Sequence, residues 1–112
     1  MSEIQKAEVH EVSENISSVF NRFGLDLPLS PNDVENLTQL KIYLTEKLKD
    51  LLDNNFNLLV NTLYRIDVNE EKLNELFGSK NRVPIPSALA ELIIERQLQK
   101  IYFRKKYKEG NL

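Results

Sequence analysis

PSALAELIIERQLQKIYFRKKYKEG, residues Pro86 to Gly110, is the stretch on which the fold turns. A proline suits the first position of a helix, and a glycine readily takes the left-handed backbone that closes one. Neither residue occurs between these two ends. The spacing predicts one long helix from about 86 to 108. Ala88 to Ile94 is apolar on nearly every side of that helix, so this half is expected to be the most buried part of the protein, with Leu92 and Ile93 in the core. Leu98, Ile101 and Tyr102 extend an apolar face joined to Ile94. Across from them Arg96, Lys100, Arg104 and Lys108 recur every four residues, a spacing that aligns them as a basic ladder.

Outward from this helix, the remaining glycines and prolines cut the chain into further helices. Gly24, Pro28 and Pro31 form one group and Gly78, Pro84 and Pro86 another. Hairpin signals such as Asn-Gly and Asp-Gly do not occur, and alternating β-branched runs are scarce. The expected architecture is therefore all-α, a compact bundle of about five helices near 3–23, 31–53, 55–66, 68–77 and 86–108. It forms a single domain over 1–112, with the N-terminal helix and connector at 1–30 and the core bundle at 31–108.

Each helix has its own signals. In the first, Val9, Val12, Ile16, Val19 and Phe23 step by three and four and make one narrow apolar stripe. Its Ser, Asn and β-branched residues are middling helix formers, so the stripe must be covered. A second copy is the expected cover, giving a homodimer; docking on the same chain is the alternative. The connector GLDLPLS lays Leu25, Leu27 and Leu29 on an apolar surface. Ser30 is expected to cap the second helix, with Pro31 at its first position and Asp33 near its positive dipole end. Asn54 and Asn55 mark a break before a short third helix. Asp67, three residues ahead of Glu70, is expected to cap the fourth helix in a capping box.

The composition suits a soluble globular chain, 41% apolar and 29% charged. No apolar run reaches the roughly 18 residues a membrane helix needs. No basic start with an apolar stretch behind it is read in MSEIQKAEVHEV, and cysteine is absent, so a cytoplasmic location is expected. The two sequons, at Asn15 and Asn36, are then chance matches. Charge is uneven: residues 1–81 carry 8 basic and 14 acidic side chains, residues 82–112 carry 7 and 3. A basic end on an acidic body either attracts a polyanion or pairs with the body itself. Cations also favour a helix C-terminus by about 0.3–1 kcal/mol through the macrodipole. A solvated face, or one paired internally with Glu8, Glu11 and Glu14 of the first helix, is the expected outcome. Nucleic acid bound along the last helix is the alternative, weakened by an overall acidic chain without a recognised binding motif.

No catalytic constellation is read. His10 is the one histidine, and HEVSE puts Glu14 where a zinc protease motif needs a second imidazole. His10 is expected at the surface. Glu91 and Glu95 lack the histidines of a carboxylate-bridged metal site and read as acidic residues near a helix start. Phosphate-binding glycine loops and nucleophile elbows are absent, so neither a cofactor nor a metal is expected, and the chain reads as non-enzymatic.

Leu63-Tyr64-Arg65-Ile66-Asp67-Val68 with Glu70-Glu71-Lys72-Leu73, and Leu89 through Gln97 leading to Arg104-Lys105-Lys106-Tyr107, resemble a group of small all-helical bacterial proteins. These share an LYRID segment and a final helix of ALxxLIxxRQxQK type. The resemblance spans residues 37–108. It implies the fold and carries no activity, substrate or cofactor. Within it, a half-buried Arg–Asp pair between Arg65 or Arg96 and Asp67 is expected to tie helices together. The sharper reading makes Arg65 and Arg96 partners for a protein or an anion. Function is expected to lie in protein contacts, self-association included.

Overall fold

The computed structural model describes residues 6–25, 27, 36–78 and 85–109. They form five helices, α1 (Lys6–Arg22), α2 (Leu37–Asn54), α3 (Phe56–Arg65), α4 (Glu70–Gly78) and α5 (Ile85–Glu109), with no strand among the described residues. The expected all-α bundle is the fold. α5 is its central element: it packs most extensively on α2 and also meets α1 and α4.

The core follows helical periodicity on every element. α2 buries Leu40, Leu44, Leu48 and Leu51, α3 buries Leu59, Thr62 and Leu63, and α4 buries Leu73. α5 contributes Leu89, Ala90, Ile93, Ile94, Gln97 and Ile101. Each fully buried leucine or isoleucine contributes roughly 1.5–3 kcal/mol in removing apolar surface from water. The expectation for α5 holds for Ile93 and needs correction for Leu92, which is half-buried, and for Tyr102, which is 63% exposed. Leu92 lies on the opposite side of the helix from Gln97, and Tyr102 is one step of 100° beyond Ile101. The first half of the helix is apolar on nearly every side, but its neighbours cover one side.

The stripe on α1 is covered within the chain. Val9, Val12 and Ile16 are buried, while Val19 and Phe23 are half-buried against the core. This is the docking on the same chain that was the alternative cover, and it takes the central residues of the stripe out of water without a second copy. Phe20, outside the predicted stripe, is fully buried, so the buried face is rotated slightly from the one read in the sequence. Ser13 is buried beside it and donates to the Val9 carbonyl at 2.9 Å, which satisfies its hydroxyl inside the core.

Gly24 closes α1 with φ at +90°. Its N–H donates to the Asn21 carbonyl at 3.0 Å, and the Leu25 N–H donates to the Phe20 carbonyl at 2.9 Å. These two bonds are the Schellman pattern, and Phe20 and Leu25, both buried, supply its apolar contact. Leu27 is also buried, and its carbonyl accepts a hydrogen bond from the Ser17 hydroxyl. Leu29 and the expected cap Ser30, with Pro31 and Asp33, lie outside the described residues.

Two starts differ from expectation. α2 begins at Leu37, after Asn36 in extended backbone, and the Asn36 side chain accepts from the Gln39 N–H at 2.9 Å. The Asn36 sequon is thus a helix cap in structural terms. α4 is capped by Asn69, whose side chain accepts from the Lys72 N–H at 3.0 Å, and not by Asp67. Asp67 instead holds a left-handed backbone, φ 66°, in the turn after α3. The break at Asn54 and Asn55 is real: the Asn55 N–H closes α2 on the Leu51 carbonyl at 2.7 Å, and its own carbonyl opens α3 by accepting from Leu59 at 2.9 Å.

Candidate interaction surface

The predicted partner-binding cations do not form one cluster. Arg65, in the last turn of α3, sits 5.7 Å from the centre of the Phe23 ring, a cation–π contact that links α3 to the end of α1. Arg96 reaches the other way. Its Nη2 donates to Asp67 Oδ2 at 2.7 Å and its Nη1 to Gln99 Oε1 at 3.2 Å. Its Nε is enclosed and bonds to no group among the described residues. The Arg–Asp pair read in the sequence is present with Arg96 as the arginine, but it is not the half-buried pair expected, since the Asp67 side chain is 70% exposed. Arg96 hydrogen-bonds to Asp67 and lies near it, holding that carboxyl below its ordinary 3.8, and Lys100 adds a smaller pull.

Arg96 and Asp67 line an open cleft of about 610 Å³ between α5 and the α3–α4 turn, with Tyr64, Leu92 and Glu95 on its walls. Glu70, Glu71 and Glu95 make its rim acidic, and Lys72 bridges to Glu95 at 3.5 Å. The Tyr64 hydroxyl donates to Asn74 Oδ1. No group of three or more His, Cys, Asp or Glu among the described residues is placed to hold a metal ion.

At the far end of α5 the basic residues turn toward α1. Arg104 Nη1 pairs with Glu11 Oε2 at 3.1 Å and Lys105 with Glu8. The acidic first helix therefore meets the basic last helix through Arg104 of the ladder and through Lys105, which is outside the ladder predicted from spacing. The side chain of Lys108 lies outside the described residues. These pairs are half-exposed, so each contributes only about 0.2–1 kcal/mol. His10, expected at the surface, is half-buried with Nε2 enclosed and unbonded among the described residues, because α1 turns it toward the packed side.

The salient apolar surface lies elsewhere. Tyr102 is 63% exposed and Phe103 59%, with their rings in edge contact at 6.2 Å. With Leu98, Glu95 and Gln99 they line a shallow depression on the outward side of α5, continuous with the cleft at Arg96 through Glu95 and Gln99. The sequence reading missed this surface by placing Tyr102 on one apolar face with Leu98 and Ile101. Its signal was available: Ala88, Leu92, Glu95, Gln99, Tyr102 and Lys106 step by four and three along a second stripe. No helix among the described residues is long and apolar enough to cross a membrane. No protein-family model, curated protein or solved structure matches the chain.

Proposed function

We propose that this is a non-enzymatic helical protein that acts through contacts with other protein, made by the outward face of α5. The exposed pair Tyr102 and Phe103 carries this reading. Aromatic residues supply large contact areas at low entropic cost and are enriched where proteins meet. The neighbouring cations support the same view. Arg96, Arg104 and Lys105 are engaged with Asp67, Glu11 and Glu8, so among the described residues of α5 three of five cations are already opposed by carboxylates and less able to follow a phosphate backbone.

The test compares the full chain with a Tyr102→Ser, Phe103→Ser variant by cross-linking and affinity capture, read by quantitative mass spectrometry. A protein partner, or a second copy, held by the first and lost by the second supports the reading. Tight, salt-sensitive binding of DNA or RNA, abolished by Lys100→Gln, Arg104→Gln and Lys108→Gln together, replaces it with the nucleic-acid reading.

A further inference from the structure

The outward stripe of α5 is self-complementary, and we propose that it pairs antiparallel with the same stripe of a second copy. This deepens the proposed function by naming the partner. The stripe holds Ala88, Leu92, Glu95, Gln99, Tyr102 and Lys106, spaced four, three, four, three and four. That is the heptad spacing by which two helices keep one side facing each other. Among these residues Glu95, Gln99, Tyr102 and Lys106 are exposed, and Ala88 and Leu92 are half-buried.

Charge decides the direction of pairing. The N-terminal half of the outward side carries Glu91 and Glu95, 64% and 55% exposed at their side chains although each pairs at 3.5 Å within the chain, Glu91 with Lys41 and Glu95 with Lys72. Such exposed pairs are weak enough to exchange partners. The C-terminal half carries exposed Lys106, which has no ion-pair partner among the described residues. Parallel pairing sets Glu95 on Glu95 and Lys106 on Lys106, like charge against like. Antiparallel pairing centred near position 97 removes both conflicts. It sets Leu92 against the partner copy's Tyr102, Glu95 against its Gln99 and Lys106 beside its Ala88 and Glu91. Each pairing then occurs twice about the twofold axis, as a closed isologous dimer requires. Leu92 meets Tyr102, a carboxylate meets an amide donor, and the open cation comes within one turn of a carboxylate, with Phe103 flanking the seam level with Glu91. A partner of unrelated sequence has no reason to match all of these positions. A single helix pair makes a small interface, so the association belongs to the weak class of protein contacts.

The absence of cysteine makes the register directly testable. Leu92→Cys and Tyr102→Cys chains are prepared separately, mixed and oxidised. Antiparallel pairing yields a disulfide-linked dimer from the mixture. Neither chain alone links, since like positions stand about 15 Å apart along the axis at 1.5 Å per residue. Sedimentation equilibrium of the native chain should show a monomer–dimer equilibrium in the micromolar range. Tyr102→Asp should weaken it at least tenfold with helicity by circular dichroism unchanged. Glu91→Lys and Lys106→Glu should each weaken it, and the two together in one chain should restore it. Self-linking of the Tyr102→Cys chain overturns the antiparallel register. A dimer indifferent to Tyr102→Asp overturns the surface. A native chain that is monomeric at several hundred micromolar overturns the self-pairing. In that case capture of another protein, lost on Tyr102→Ser and Phe103→Ser, leaves the broader functional reading standing.

Discussion

Arg96 and Asp67, 29 positions apart in the chain, meet at 2.7 Å and join the middle of α5 to the turn between α3 and α4. Asp67 makes this contact from a left-handed backbone with φ 66°, a conformation that Asn and Asp tolerate better than other non-glycine residues. The turn therefore depends on the residue type twice, through its charge and through its backbone.

The charge has a pH signature. The hydrogen bond from Arg96, and then the charge of Arg96, hold the Asp67 carboxyl below its ordinary 3.8, against a smaller opposing effect of burial. A carboxylate with a depressed folded pKa binds fewer protons when folded than when unfolded. Its contribution is complete above the unfolded value and is lost as pH falls through the folded one. Urea midpoints of the native chain and Asp67→Asn should differ by a constant amount above pH 5 or so, converging as the pH drops below about 4. A difference that persists unchanged at the acid extreme would show that the charge contributes nothing. Asp67→Val should cost more than Asp67→Asn at neutral pH, because a β-branched residue must also adopt the left-handed turn.

Burial on α5 separates two adjacent residues. Ile93 is 1% exposed, whereas Leu92 is only half-buried. Ile93→Ala should destabilise by about 2–5 kcal/mol through the cavity it opens. Leu92→Ala should cost clearly less in chemical denaturation. Equal losses would mean that Leu92 is as enclosed as its neighbour.

Ile16, 1% exposed within one chain, gives a test of where α1 docks. Ile16→Asp places a carboxylate in the core and should lower stability by roughly 3 kcal/mol or more. The loss should appear in the folding of the monomer at any protein concentration. A variant that stays equally stable and changes only its oligomeric state would restore the self-association first read from the stripe.

The two asparagine caps should each be worth about 1 kcal/mol, within the range of 0.5–2 for such replacements by alanine. Asn36→Ala removes the acceptor for the Gln39 N–H, and Asn69→Ala the one for Lys72. Thermal midpoints measured for both variants check this, with Ser30→Ala as the comparison. If Ser30 mattered more than Asn36, the start of α2 would lie earlier than Leu37.

Replacing Lys100, Arg104 and Lys108 with Gln should leave the bundle folded. The Arg104–Glu11 pair that is lost stands half in solvent, so the cost is about 1 kcal/mol or less and shrinks with added salt. A cooperative unfolding of the triple variant would show that the ladder is part of the core architecture.

Much of the fold was legible because helices announce themselves locally. The helix ends at Gly24 and Gly78, the leucines of α2 and the break at Asn54 and Asn55 depend only on neighbours within a turn or two, so spacing suffices to read them. Caps were harder. Asp67 and Asn69 are both good capping residues two positions apart, and the choice fell to Asn69 once Asp67 was drawn to Arg96, a residue no local rule connects to it. The same limit hid the outward face of α5. Its sequence is apolar on both sides, so periodicity alone could not say which side α1, α2 and α4 would cover. It placed Tyr102 with Ile101, which is buried, while Tyr102 faces solvent. For α1 the sequence determined that a narrow stripe had to leave water. Whether it would be covered by its own chain or a second copy was decided only when α5 and α2 presented a complementary apolar surface to it. Burial is a relation between segments distant along the chain, and no single segment contains it.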